Sequence, residues 1–148
     1  MTVSSVFVVL FFFAVLIAYI HGDRSARRDM RTRFSGRENL GWEPLCGLFC
    51  AGHVVDSEMI REILGHVATE LSVEPFVLRP SDRFAEELKP PKGWEFDAGA
   101  TTLLLDLAGL ARKKGVTIDM ASIVTLDDFV LAMSKVCGNE VAARGRRL

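Results

Sequence analysis

Apolar residues return at three- and four-residue intervals in three stretches of this chain, the pattern of helices with one buried face. In the first, Met59, Ile60, Ile63, Leu64, Val67, Ala68 and Leu71 form the stripe, with Glu58, Arg61, Glu62 and Glu70 opposite. Asp56-Ser57 supplies its cap, and Pro75 disfavours helix in the residue before it, so the helix should end near Leu71. The second opens at Asp97, a good N-cap, and carries Leu103, Leu104, Leu107, Leu110 and Ala111 on one face. Leu105 and Ala108 widen that stripe and predict burial on more than one side. Arg112, Lys113 and Lys114 suit the negative end of the helix dipole, and Gly115 is the expected left-handed residue after it. In the third, Thr125-Leu-Asp-Asp128 has the form of a capping box. Leu126, Phe129, Val130, Met133 and Val136 follow as its face, and Gly138 is expected to end it. The stretch from Asp97 to Val136 reads as the centre, with the earlier helices covering it.

The N-terminal pattern is different. Val3 to Ile20 is an uncharged run of 18 residues. As a helix it would span roughly 27 Å, close to the hydrocarbon thickness of a bilayer, and Tyr19 sits where an interfacial aromatic belongs. A cleaved signal peptide needs a positive start and a small-residue cleavage point. Met1 to Ser5 has no Lys or Arg, and Ala18 to Gly22 fits poorly. A buried core helix is the third reading, and an uncleaved anchor is the expectation. Arg24, Arg27, Arg28, Arg31, Arg33 and Arg37 follow, six arginines against two aspartates. The positive-inside rule then predicts a single-pass protein of the inner (cytoplasmic) membrane, N-terminus outside and C-terminal domain cytoplasmic. A lipid or RNA arm is a functional reading of these arginines; a topology signal in a solvated linker is the plainer one. The expected divisions are a transmembrane anchor over 1–22, a basic juxtamembrane linker over 23–40, a helical domain over 41–138 and a basic tail over 139–148.

Between these elements, Gly41-Trp-Glu-Pro44 reads as a turn and Leu45 to Ala51 as a short apolar segment. Phe76 to Arg83 is a loop, Arg83 to Leu88 a short run, and Lys89-Pro-Pro-Lys-Gly93 a stiff polar loop. Trp94 and Phe96 should fold back on the helices. A net charge of −1 over 148 residues excludes a global nucleic-acid footprint. Three cysteines do not suggest a disulfide framework. Cys46, Cys50 and His53 share one face if helical and are weak candidates for a metal or thiol redox centre. The usual zinc spacing is tighter, and His66 and Cys137 stand apart, so packing is the simpler account of the cysteines. No nucleophile–base pair, Gly-rich phosphate loop or paired carboxylate set is present, and Asp127 and Asp128 are explained by a helix cap, so no enzyme is expected.

The order helix, long loop, helix, short link, helix comes with ATELSV, LRPSDRFAEEL, the helix opening at Asp97, KKGVTID and TLDDFVLAM. Over about Ile60 to Val136 this resembles the acyl carrier proteins. The resemblance implies an all-α fold, a small bundle of about four helices here preceded by the single transmembrane helix. The family attaches phosphopantetheine to a serine after the aspartate at the helix start; Ala98 occupies that place, followed by Gly99. The expectation is therefore a membrane-anchored, non-catalytic interaction domain without a prosthetic group or other cofactor. Its membrane contact would be Val3–Ile20. Its protein partner, by resemblance, would be basic and drawn from lipid or acyl metabolism, meeting Glu86, Glu87, Glu95, Asp97 and Asp106. A working carrier with an unrecognised attachment site is the alternative, as is the redox protein through Cys46, Cys50 and His53.

Overall fold

A computed structural model describes residues 25, 27–49, 55–89 and 99–144, with side chains described as far as residue 138. The fold is all-α: the described residues form five helices and no strand. Residues 27–34 are helical (α1). Then come α2, Trp42–Leu48; α3, Ser57–Leu71; α4, Gly99–Lys114; and α5, Leu126–Arg144. Single 3-10 turns at Pro75–Val77 and Met120–Ser122 interrupt the connections.

The centre is α3, which touches α2, the Pro75–Val77 turn, α4 and α5. Its stripe is buried as the spacing requires: Ile60, Ile63, Leu64, Val67, Ala68 and Leu71. Asp56 caps it by accepting the Glu58 N–H at 3.3 Å. Leu103 and Leu107 from α4 and Leu126, Phe129, Val130 and Val136 from α5 complete the core with Leu45, Leu78 and Leu88. The capping box at α5 forms, with the Asp128 N–H donating to Thr125 Oγ1 and the Thr125 N–H and hydroxyl donating to Asp128 Oδ2. Gly115 takes φ 66° and Val116 N–H reaches back to Ala111 O at 2.9 Å, the six-to-one bond of a left-handed helix end.

Several expectations are corrected. Among the described residues no helix is long and apolar enough to cross a membrane. This overturns the single-pass fold and the inner-membrane, C-in localisation; Val3–Ile20, on which that expectation rests, lies outside the described residues. A span needs about 20 predominantly apolar residues. The longest helix among the described residues, α5, has 19, and charges at Asp127, Asp128, Lys135, Glu140 and Arg144 punctuate it. Residues 27–34, expected within a solvated linker, are helical, and Met30 and Phe34 are buried in the same core as α3. Gly41 to Pro44 is no turn: Gly41 precedes α2, and Pro44 lies in the first helical turn, where its missing N–H would have had no helical partner anyway. Gly138 does not end α5, which runs on to Arg144. A mid-helix glycine costs only about 1 kcal/mol. Residues 84–88 form turns, and the one pairing nearby is an isolated bridge between Arg83 and Thr125.

Candidate functional site

Four of the arginines that suggested a membrane flank, Arg27, Arg31, Arg33 and Arg37, bond to the helical domain. Arg27 Nη1 donates to Ser72 Oγ at 3.0 Å and Arg31 Nε to Ser72 O at 3.2 Å. Ser72 ends α3 with φ 55°, so both cations sit where the helix dipole is negative. Arg33 Nη1 donates to the carbonyls of Glu86, Glu87 and Lys89 at 3.4, 2.9 and 2.8 Å. Arg37 Nη1 reaches Val77 O at 3.1 Å and the Asp82 carboxylate at 2.7 Å, with its guanidinium 4.6 Å above the Phe34 ring. Arg79 donates from its side chain to Phe76, Leu78 and Glu38 carbonyls and from its backbone to Asp82 Oδ2. Asp82 is the buried member of this set. Burial pushes its carboxyl above the usual aspartate value, outweighing the Arg79 N–H and Arg37, which pull it down. These contacts lock α1 and the residues just after it to the end of α3 and to the loop before α4, a structural role for these four arginines.

Of the acidic partner-binding candidates, Glu86, Glu87 and Asp106 are described, and each has a partner close by. Glu86 pairs with Arg83 across one turn. Glu87 accepts the Arg83 N–H at 2.9 Å, and that bond leads the effects that hold its carboxyl below the ordinary glutamate value. Both carboxylates serve the turn they stand on. Asp106 is on α4, 3.6 Å from His66 of α3. Glu95, Asp97 and Ala98 lie outside the described residues, as do Trp94 and Phe96.

Helix α4 combines a sealed start with an open middle. A Cβ on Gly99 would lie 2.5 Å from the Glu70 carbonyl oxygen and 3.1 Å from Leu71 Cδ2, so the first turn of α4 presses on the end of α3. The buried side of α4 is Ala100, Leu103, Leu107 and Ala111. Leu105, expected in a widened core stripe, is instead 66 % exposed. At about 100° per residue it lies roughly 200° from both Leu103 and Leu107. That angle was the available signal, and counting leucines hid it. Gly109, one turn on, is exposed and has nothing within 4 Å of where a Cβ would be.

Cys46 donates weakly to Ser57 O at 3.7 Å, and Cys46 and Cys137 are free thiols. Cys50 and His53 lie outside the described residues. Among the described residues no three His, Cys, Asp or Glu are placed to hold a metal. A cleft of about 540 Å³ opens between Arg27, Arg31, Thr69, Ser72 and Glu74. Another of about 350 Å³ lies beside Asp119, Ser122, Asp128 and Lys135. The carboxylates of the second already cap their own turns. The Thr69 and Ser122 hydroxyls donate to the carbonyls of Gly65 and Asp119, and the Ser72 hydroxyl accepts from Arg27.

Comparison with known proteins finds no matching family model, no matching curated protein and no matching solved structure.

Proposed function

We propose that this chain is a non-catalytic protein-interaction domain, similar in helix order to the acyl carrier proteins but holding no prosthetic group, and that it docks a partner through the outer face of α4. The observation that carries the reading is Leu105, a large aliphatic side chain 66 % exposed in the middle of a rigid helix. The core of an interface is more apolar than its rim, and an exposed leucine is a group that such a core would cover. The sealed start of α4 supports the absence of cargo. The turn from which a carrier would present its attachment hydroxyl is pressed on the Glu70 carbonyl through Gly99. The order long helix, loop, helix, 3-10 turn, helix supports the likeness to carriers.

The test has two arms. Full-length protein incubated with coenzyme A and a promiscuous phosphopantetheinyl transferase should keep its unmodified mass; a covalent adduct would refute the absence of cargo. Leu105→Glu should abolish binding of the protein's partner while leaving the far-UV helical signal unchanged. Undiminished binding by that variant would remove α4 as the docking face.

A further inference from the structure

We infer that the cleft between α1 and the end of α3 is a binding site for the phosphate group of a phosphomonoester, held by Arg27 and Arg31 beside Ser72. The site is independent of the α4 face. Arg27 and Arg31 are one turn apart on α1 and so share one side of it. Arg27 Nη1 donates to Ser72 Oγ and Arg31 Nε to Ser72 O, which holds both guanidinium groups on the oxygens of a single residue. A guanidinium carries more N–H donors than these bonds use. Among the described residues nothing engages Nη1 or Nη2 of Arg31. Ser72 Oγ accepts from Arg27, which leaves its own proton free to donate. Both arginines and Ser72 line the same cleft of about 540 Å³, which is open to solvent.

The donor set selects a tetrahedral oxyanion. A carboxylate has two oxygens, and a single guanidinium fork satisfies both. Paired guanidinium groups with a hydroxyl beside them offer donors from separate directions, which suits the three oxygens of a phosphate ester. Charge agrees. Among the lining residues both arginines stand against one acid, Glu74, which is exposed. The negative end of α3 is already answered: the Ser72 and Val73 N–H groups bond to the Thr69 and Ala68 carbonyls, and Arg31 takes that of Ser72. The wall supplied by α3 leaves room. Gly65 and Ala68 line the cleft, and nothing lies within 4 Å of where a Gly65 Cβ would be. The cleft is much larger than one phosphate group, so the rest of the ester has space as well. The bonds to Ser72 fix both arginines before a ligand arrives, which lowers the ordering cost of binding.

Titration of inorganic phosphate into the full-length chain at constant ionic strength, followed by amide NMR, tests this. The Thr69, Ser72 and Val73 signals should shift and saturate, and acetate should not reproduce the shifts. Arg31→Gln should raise the dissociation constant about tenfold, the worth of one charge-assisted hydrogen bond. Arg28→Gln is the control. Arg28 is exposed on the same helix and does not line the cleft, so its loss should change binding little. Gly65→Glu breaks none of the bonds between α1 and α3 and puts a carboxylate in the cleft. It should abolish binding, and it keeps the site testable if Arg31→Gln loosens α1. Glycerol phosphate and phosphatidate vesicles as competitors distinguish a soluble ester from a lipid headgroup, and competition by either supports the site. The inference is overturned by an absence of saturable shifts, by equal effects of Arg28→Gln and Arg31→Gln, by undiminished binding in Gly65→Glu, or by phosphate binding that neither ester competes away.

Discussion

Gly99 and Gly115 bound α4 for different reasons, and substitution separates them. At Gly99 the obstacle is the Glu70 carbonyl, 2.5 Å from any added Cβ, and a backbone oxygen inside a helix end cannot swing aside. Gly99→Ala should destabilise by about 1–3 kcal/mol through overpacking. At Gly115 space is free and the obstacle is φ 66°. Gly115→Ala should cost about 1–2 kcal/mol through the left-handed backbone alone. Urea titration of both variants checks this; if Gly99→Ala is neutral, α4 is able to shift off α3. The titrating groups make a second prediction at this scale. Burial would raise Asp128, but bonds from the Thr125 N–H, the Thr125 hydroxyl and the Val124 N–H together hold its carboxyl below 3.8. A depressed folded value means stability that is present above the unfolded pKa and is lost as pH falls through the folded one. Below about pH 4 the wild type should therefore lose part of its stability, and Asp128→Asn, which lacks that titration, should lose less over the same window. Identical acid limbs in the two proteins would show that the capping carboxylate contributes nothing. Asp82 acts in the opposite sense. Its raised value relieves a burial penalty as pH falls, so the acid loss belongs to Asp128 and Glu87.

At the scale of elements, α3 and the start of α5 were legible from spacing and caps, because there stripe and cap residues point to the same boundary, whereas Gly138 gave the wrong end for α5. The arginine-rich segment was not. Six arginines among 15 residues look like solvated chain or a membrane flank, since Met30 and Phe34 are the only large apolar residues there. What makes α1 structural is a set of long-range bonds from guanidinium groups to carbonyls that no local window contains. Phe34 is 2 % exposed and stacked under Arg37. Phe34→Ala should cost about 3–5 kcal/mol, measured by chemical denaturation of the full chain. A change inside about 0.5 kcal/mol, the usual range for surface sites, would mean that α1 is only resting on the domain. The site was legible in part. Asp106 was a candidate from sequence and stands on the proposed face, whereas Leu105 was assigned to the core because a run of three leucines conceals which of them points away.

For the whole molecule, the centre lies one helix earlier than the hydrophobic pattern suggests. The stretch 97–136 is richer in leucine, yet α3 is the element that touches α2, the Pro75–Val77 turn, α4 and α5. Connectivity, which spacing cannot show, decides this. The residues that follow α1 are tied into the same unit through the Arg37–Asp82 pair, where Asp82 is 3 % exposed at its side chain and Arg37 27 %. Removing one partner of a buried pair strands the other, at a cost of about 3–5 kcal/mol; Arg37 is partly solvated, so Asp82→Ala belongs at the lower end. The consequence should be cooperative. Hydrogen exchange on the wild type should give the amides of α1 and α3 protection of similar free energy, because Met30 and Phe34 share a core with Ile63, Leu64 and Val67. In Asp82→Ala, α1 should exchange well before α3, since its apolar contacts remain but its lock to the loop at Val77 is gone. If α1 exchanges freely in the wild type as well, the clamp of arginines adds no stability, and the domain folds from α2 onward without it.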